Sequence, residues 1–232
     1  PSLFAEISAN ETLYLPVDTK AGAKFEKWDE TKTLSSALNT VRSAKDFFFP
    51  QTENLMDFKI EGKTIEVIDN RSETEDFVIF GIRACDVKSF DVLDRVFLAE
   101  PVDTYYMNRR NHGVIMSVAC TRPTETCFCK TFDIDAADPD GDIVCYKTDD
   151  ALYMDAKTEK GKKLLSSLEK ITEDADNKAV DEQKKTIRER LEKLPLASLK
   201  KDTFGVGKTE EFFNAPEWAE LSESCLGCGT CT

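Results

Sequence analysis

The sequence predicts an α/β protein whose mixed sheet contains at least one βαβ unit. Two continuous apolar runs, 77–81 (Phe-Val-Ile-Phe-Gly) and 113–119 (Gly-Val-Ile-Met-Ser-Val-Ala), read as strands buried on both faces. Between them, residues 86–98 read as a helix in which Val87, Phe90, Val92, Leu93, Val96 and Phe97 make a broad inward face. A strand, a helix and a second strand in that order imply a crossover between parallel strands. The positions just past the two runs, Cys85 and Cys120, then stand beyond the C-terminal ends of parallel strands, where open α/β sheets hold ligands.

The other elements follow in order. Residues 13–17 predict a short strand, ended by the turn Asp-Thr-Lys-Ala-Gly. Leu34, Ala37, Leu38 and Val41 recur at helical spacing and predict a helix over 33–44, stopping before Pro50. Two strands, 56–60 and 64–68, are joined by Glu61-Gly62-Lys63 as a hairpin. Residues 105–110 predict a further helical turn, 143–146 and 151–155 two more short strands, and 159–171 and 181–194 charged helices. The second of these has only Ile187, Leu191 and Leu194 as an apolar face, which reads as a solvated surface helix. Residues 174–181 read as a mobile loop, and 212–221, carrying Trp218, as a last helix.

Composition excludes several classes of function. The chain has 232 residues, enough for one large domain with a real core. Its 44 acidic residues outnumber 31 basic ones, giving a net charge of −13. That surface repels nucleic acid and anionic membranes, so neither is expected as a partner; it suits docking to basic proteins. No apolar run approaches the roughly 18 residues that span a bilayer, and the first residues do not form a signal peptide. The expected location is the cytoplasm, where clustered cysteines signal metal or redox chemistry more often than disulfides. Gly205-Val-Gly-Lys-Thr209 falls short of a phosphate-binding loop, because position 202 is Asp where a glycine is required. The lone histidine, His112, gives no support to a histidine-based triad.

Seven of the eight cysteines fall into two sets. Cys120, Cys127 and Cys129 lie within ten residues, and the βαβ unit brings Cys85 toward them. Four thiolates close an iron–sulfur or zinc site, and the C-x6-C-x-C spacing fits neither common zinc nor common ferredoxin patterns. Pro123 holds the loop out of regular structure, and Phe128 is a candidate shield against water. The bland reading is a group of buried structural cysteines. A metal-free thiol-redox pair, Cys127 with Cys129, is a third reading. Cys145, within Ile-Val-Cys-Tyr, reads as core. Arg83, Arg109, Arg110 and Arg122 stand near the thiols in sequence and are candidates to balance a cluster's negative charge, or to pair on the surface of an acidic protein.

Cys225, Cys228 and Cys231 form C-x2-C-x2-C, the first part of the bacterial ferredoxin run C-x2-C-x2-C-x3-C-P. The run stops before its fourth cysteine. The expected organisation is therefore an α/β domain with the four-cysteine site over 1–209, followed over 210–232 by the truncated start of a ferredoxin-like [4Fe–4S] dicluster domain.

Five segments carry a family resemblance: Phe48-Phe-Pro-Gln-Thr-Glu53, Phe80-Gly-Ile-Arg-Ala-Cys-Asp86, Leu93-Asp-Arg-Val-Phe-Leu98, the run from Cys120 to Cys129, and Cys225-Leu-Gly-Cys-Gly-Thr-Cys231. Together they resemble the 4Fe–4S dicluster subunits of cytoplasmic sulfhydrogenases, where this is the beta subunit, and of anaerobic sulfite reductase. The resemblance implies a non-catalytic electron-transfer subunit with [4Fe–4S] clusters. It would relay electrons between a flavin-containing, NAD(P)H-linked subunit and a catalytic redox subunit. The rival from another class is a zinc-stabilised scaffold module of a multisubunit complex.

Overall fold

The computed structural model describes residues 2–73, 75–203, 205 and 207–229. Its elements are α1 (Ser2–Ser8), β1 (Thr12–Thr19), β2 (Gly22–Lys27), β3 (Met56–Glu61), β4 (Thr64–Asp69), β5 (Phe77–Ile82), α2 (Ala84–Phe97), α3 (Thr104–His112), β6 (Gly113–Val118), β7 (Ile143–Lys147), β8 (Leu152–Ala156), α4 (Glu159–Ser167), α5 (Lys178–Glu192) and α6 (Glu217–Ser222). Six strands form one sheet in the order β2-β1-β5-β6-β7-β8, while β3 and β4 form a separate two-stranded sheet. The four central strands run parallel, and β2 and β8 close the two edges antiparallel. The architecture is α/β with a mixed sheet, and β5, α2, α3 and β6 make the βαβ unit.

Side chains alternate across the sheet. Val78, Phe80, Val114 and Met116 pack on one face with Ile7 of α1 and Leu164 of α4. Ile79 and Ile115 pack on the other with Phe48, Val87, Phe90 and Tyr106. Ile82 joins this second group, which strict alternation would not allow. The register shift between Phe80 and Ile82 supplies the extra residue, Gly81, at φ 92°. A side chain there would be strained by the backbone and would meet Pro16 Cδ at 3.0 Å. This bulge ends the strand and turns the chain into α2. A third group, centred on Val144, Ala119 and Tyr146, packs against Val180, Ile187 and Leu191 of α5.

The helix expected over 33–44 does not form. Those residues run extended alongside the sheet: Ser35 N donates to Pro16 O (2.8 Å) and Val41 N to Ala23 O (2.8 Å). Ser35 Oγ also donates to Asp18 Oδ1 at 2.5 Å. Leu34 packs against one core group and Leu38 against another, so their helical spacing serves two separate contacts. The next regular element is a single 3₁₀ turn at Ala44–Phe47.

Other boundaries shift for local reasons. Asp103 accepts hydrogen bonds from Tyr105 N and Tyr106 N, so the predicted turn grows into the nine-residue α3. Helix α4 ends at Ser167 rather than Ile171. Helix α5 begins at Lys178, so the second half of the expected 174–181 loop is helical. The expected 212–221 helix is interrupted before Pro216 and survives as α6. Helix α1 and strand β2 add to the predicted elements. No described helix is long and apolar enough to cross a membrane.

Candidate metal centre

Four cysteines come together at the C-terminal ends of β5 and β6. Cys85 occupies the first turn of α2, directly after the bulge, and is solvent-exposed. Cys120 follows β6 by two residues and is buried, its N–H bonded to Ala136 O at 2.8 Å. Cys127 closes a tight turn through its N–H to Thr124 O (3.0 Å), and its Sγ accepts from Thr124 N at 3.2 Å. Cys129 opens a 3₁₀ turn that ends at Asp133, whose φ of 55° is the left-handed conformation Asp tolerates. Its carbonyl accepts from Ile134 N at 3.0 Å, tying the two ends of the turn.

The thiols interact. The neighbouring Cys129 thiol holds the Cys85 pKa down to about 7 against the burial that would raise it. The same pairing pushes Cys129 up. The helix N-terminus favours the charge on Cys85 rather than on Cys129. Cys129 also stands within electrostatic reach of Cys127 and Cys120. Burial raises Cys120, and the Arg83 guanidinium partly offsets that. Among the described residues, no three His, Cys, Asp or Glu side chains are arranged to hold a metal ion. The four thiols therefore gather without closing on a single ion.

Helix α5 pins the cysteine loop from outside. Arg188 bonds Asp135 (Nη2 to Oδ2, 2.6 Å), Arg190 Nη1 donates to Thr121 O (2.6 Å), and Glu192 pairs with Lys130. Its buried Ile187 and Leu191 share a core group with Cys120. A helix that reads as solvated surface thus positions the loop. Its charges at 188, 190 and 192 carry no sign of this in the sequence, because their partners lie far away along the chain.

Beside the thiols opens a cleft of about 1070 Å³, walled by the extended 34–43 segment and floored by Gly81, Arg83, Cys85 and Ala119. Asp86 at its edge accepts from Ser43 Oγ at 2.7 Å.

The remaining sequence candidates sort out as follows. Arg109 and Arg110 are not at the thiols: Arg109 pairs with Glu53, and Arg110 forks onto Asp94 (2.9 and 2.8 Å) over the rings of Phe48 and Phe90. Phe128 is 49% exposed and packs edge-on to Phe132, so it does not seal the site. Cys145 is fully buried core, and burial pushes its thiol up to about 12. His112 is tied to Asp76, Nδ1 to Oδ1 at 2.6 Å. Cys225 and Cys228 are exposed in the tail, and Cys231 lies outside the described residues.

This combination defines a class: an open α/β sheet carrying a convergent set of thiols on the loops at its C-terminal edge. The chain is similar to Sulfhydrogenase 2 subunit beta of Pyrococcus furiosus, 29% identical over 237 residues that span 100% of this chain and 67% of the relative. No family model matches the chain, and no solved structure does.

Proposed function

We propose that this chain is a non-catalytic electron-transfer subunit of an oxidoreductase complex, with an iron–sulfur centre held by Cys85, Cys120, Cys127 and Cys129. The observation that carries this reading is the approach of Cys85 and Cys129, thiols 44 positions apart in sequence, to each other and within electrostatic reach of Cys120 and Cys127. The relative's description as a sulfhydrogenase beta subunit supports the redox class.

The donor set suits the group. Four soft sulfur atoms favour iron–sulfur ligation. A [4Fe–4S] cluster, when bound, supplies reversible one-electron transfer. The chain's own residues tune that site. Arg83 places a positive charge beside Cys120, which favours the more negatively charged, reduced form. Thr124 donates its N–H to Cys127 Sγ, which acts in the same direction. Helix α5 holds the loop through Arg188 and Arg190, limiting rearrangement between redox states.

The same proposal assigns Cys225, Cys228 and Cys231 to a second cluster in a ferredoxin-like segment from residue 210. Its partners would be a flavin-containing, NAD(P)H-linked subunit and a catalytic redox subunit of the hydrogenase type, in the cytoplasm.

The test is iron and acid-labile sulfide measured on anaerobically purified protein, for the parent, Cys127→Ser and Cys228→Ser. Each variant should lose about one cluster's worth of iron, independently of the other. Unchanged iron in Cys127→Ser overturns the body site. Zinc in place of iron supports the scaffold reading, and a reversible Cys85–Cys129 disulfide in metal-free native protein supports thiol redox chemistry.

A further inference from the structure

The hairpin of β3 and β4 stands apart from the main sheet. Its register pairs Phe58 with Val67 and Ile60 with Ile65, and sets Met56 at the end of the same face. Alternation therefore puts all five apolar side chains on one face. Each is about half exposed or more: Met56 48%, Phe58 59%, Ile60 70%, Ile65 64% and Val67 57%. Asp57, Lys59, Glu61, Thr64, Glu66 and the half-buried Ile68 take the other face, and Asp69 lies opposite Met56 on the apolar one. This alternation, broken only at Ile68 and Asp69, is the pattern of a sheet with one covered side, and here the described residues leave that side open. A two-stranded ribbon is marginal in water without such cover.

The arm is nevertheless held firmly at its root. Arg71 forks onto Asp69 (Nε to Oδ1, 2.9 Å), donates to Thr104 Oγ1 (2.6 Å) and lies over the Tyr105 ring at 4.9 Å. Tyr105 Oη donates to Leu55 O at 2.7 Å, and Asn70 Nδ2 to Asn54 O at 3.2 Å. The apolar face is presented in a fixed direction from α3.

We propose that this face is a docking surface for a different polypeptide, one whose contact patch is apolar and ringed by Lys and Arg. Charge selects the occupant. Residues 56–69 carry four acidic and two basic side chains, on a chain of net charge −13. A second copy would bring an equally acidic surface into contact, and like charges around a shared apolar patch oppose that pairing. A basic-rimmed partner is attracted before contact and then buries the five side chains. The proposal does not depend on the thiols at the sheet edge.

The experiment uses the full chain, expressed in its own host with a photo-crosslinking phenylalanine analogue replacing Phe58. The cross-linked species is identified by mass spectrometry, and the complex is then rebuilt from the two purified proteins. The expected result is a cross-link to one other polypeptide, with binding weakened at least 10-fold by Ile60→Glu with Val67→Glu and several-fold by raised salt. Circular dichroism and iron content should match the parent, which separates loss of docking from loss of the redox site. A cross-link to a second copy or to the same chain overturns the proposal, as does unchanged affinity of the Ile60→Glu, Val67→Glu variant. Binding that does not weaken as salt is raised overturns the basic rim.

Discussion

Two sets of cysteines in one chain are positioned in opposite ways. The body set is placed by the sheet. Cys120 follows a buried strand, Cys85 opens a 14-residue helix, and the loop between Cys120 and Cys129 is tied down by α5. The tail set has no such frame among the described residues. Helix α6 has no buried residue, and Phe213, Leu221 and Leu226 are 81%, 61% and 93% exposed. A site whose ligands are gathered by the fold costs less ordering when metal arrives. A site on exposed backbone must draw its ordering free energy from the metal itself. The body cysteines are held by packed elements of the fold, and the described tail cysteines are not.

The largest expected effect is in thiol labelling of the reduced, metal-free protein. Cys145 is fully buried and should react with an alkylating reagent only through opening of the sheet. Cys225 is exposed and should react at once. A rate ratio of at least about 10³, read by peptide mass spectrometry, is expected from the range of native-state opening equilibria. Comparable rates would mean that the body is no better ordered than the tail.

Stability variants sharpen the same contrast. Phe90 is 1% exposed and packs edge-on to Phe48 at 5.0 Å. Phe90→Ala should cost about 3–5 kcal/mol in urea unfolding, through lost transfer and the cavity left behind. Trp218 is 53% exposed, and Trp218→Phe should change the stability by no more than about 0.5 kcal/mol. The chain has two tryptophans, so this variant also leaves Trp28, packed on the body core, as the sole tryptophan fluorescence reporter.

A smaller cost is expected at the junction of α2 and α3. Asp94 accepts from Arg110 (2.9 and 2.8 Å) and from Tyr106 Oη (2.6 Å), all partly buried. Arg110→Met keeps the apolar stem over Phe48 and Phe90 but leaves the half-buried carboxylate with Tyr106 Oη as donor and without its paired charge. The expected loss is about 1–3 kcal/mol, the range for a charged acceptor that loses a partner.

How much of this was legible in the sequence follows from which contacts are local. The apolar runs at 77–81 and 113–119 could hardly be anything but buried strands, and their parallel pairing carried Cys85 toward Cys120. The 33–44 segment misled because Leu34, Leu38 and Val41 keep helical spacing while their backbone is satisfied by β1 and β2. No local signal distinguishes those cases; the deciding hydrogen bonds lie about 18 residues away. The same holds for Arg109 and Arg110, near the thiols by number but claimed by Glu53 and Asp94. Local propensity marked the elements, and tertiary partners decided the exceptions.

The smallest effect separates body from tail by pH. Burial alone would raise Asp94, but the hydrogen bonds from Arg110 and Tyr106 outweigh it and hold its pKa below the ordinary carboxylate value. Asp138 behaves alike: burial opposes, and bonds from Lys184 and Tyr146 prevail. A carboxylate depressed in the folded state binds its proton more weakly there than in the unfolded chain. Its contribution is therefore complete above the unfolded value of about 3.9 and is lost as pH falls through the folded one. The unfolding midpoint should hold steady from pH 6 to about 4 with respect to these two groups and fall below that. Asp94→Asn should start lower and show a shallower fall, whereas removing residues 210–232 should leave the slope unchanged, because both carboxylates and their partners lie in the body. A slope that flattens on removal of the tail would mean that the tail helps to hold these pairs, and the two regions could no longer be treated as independent.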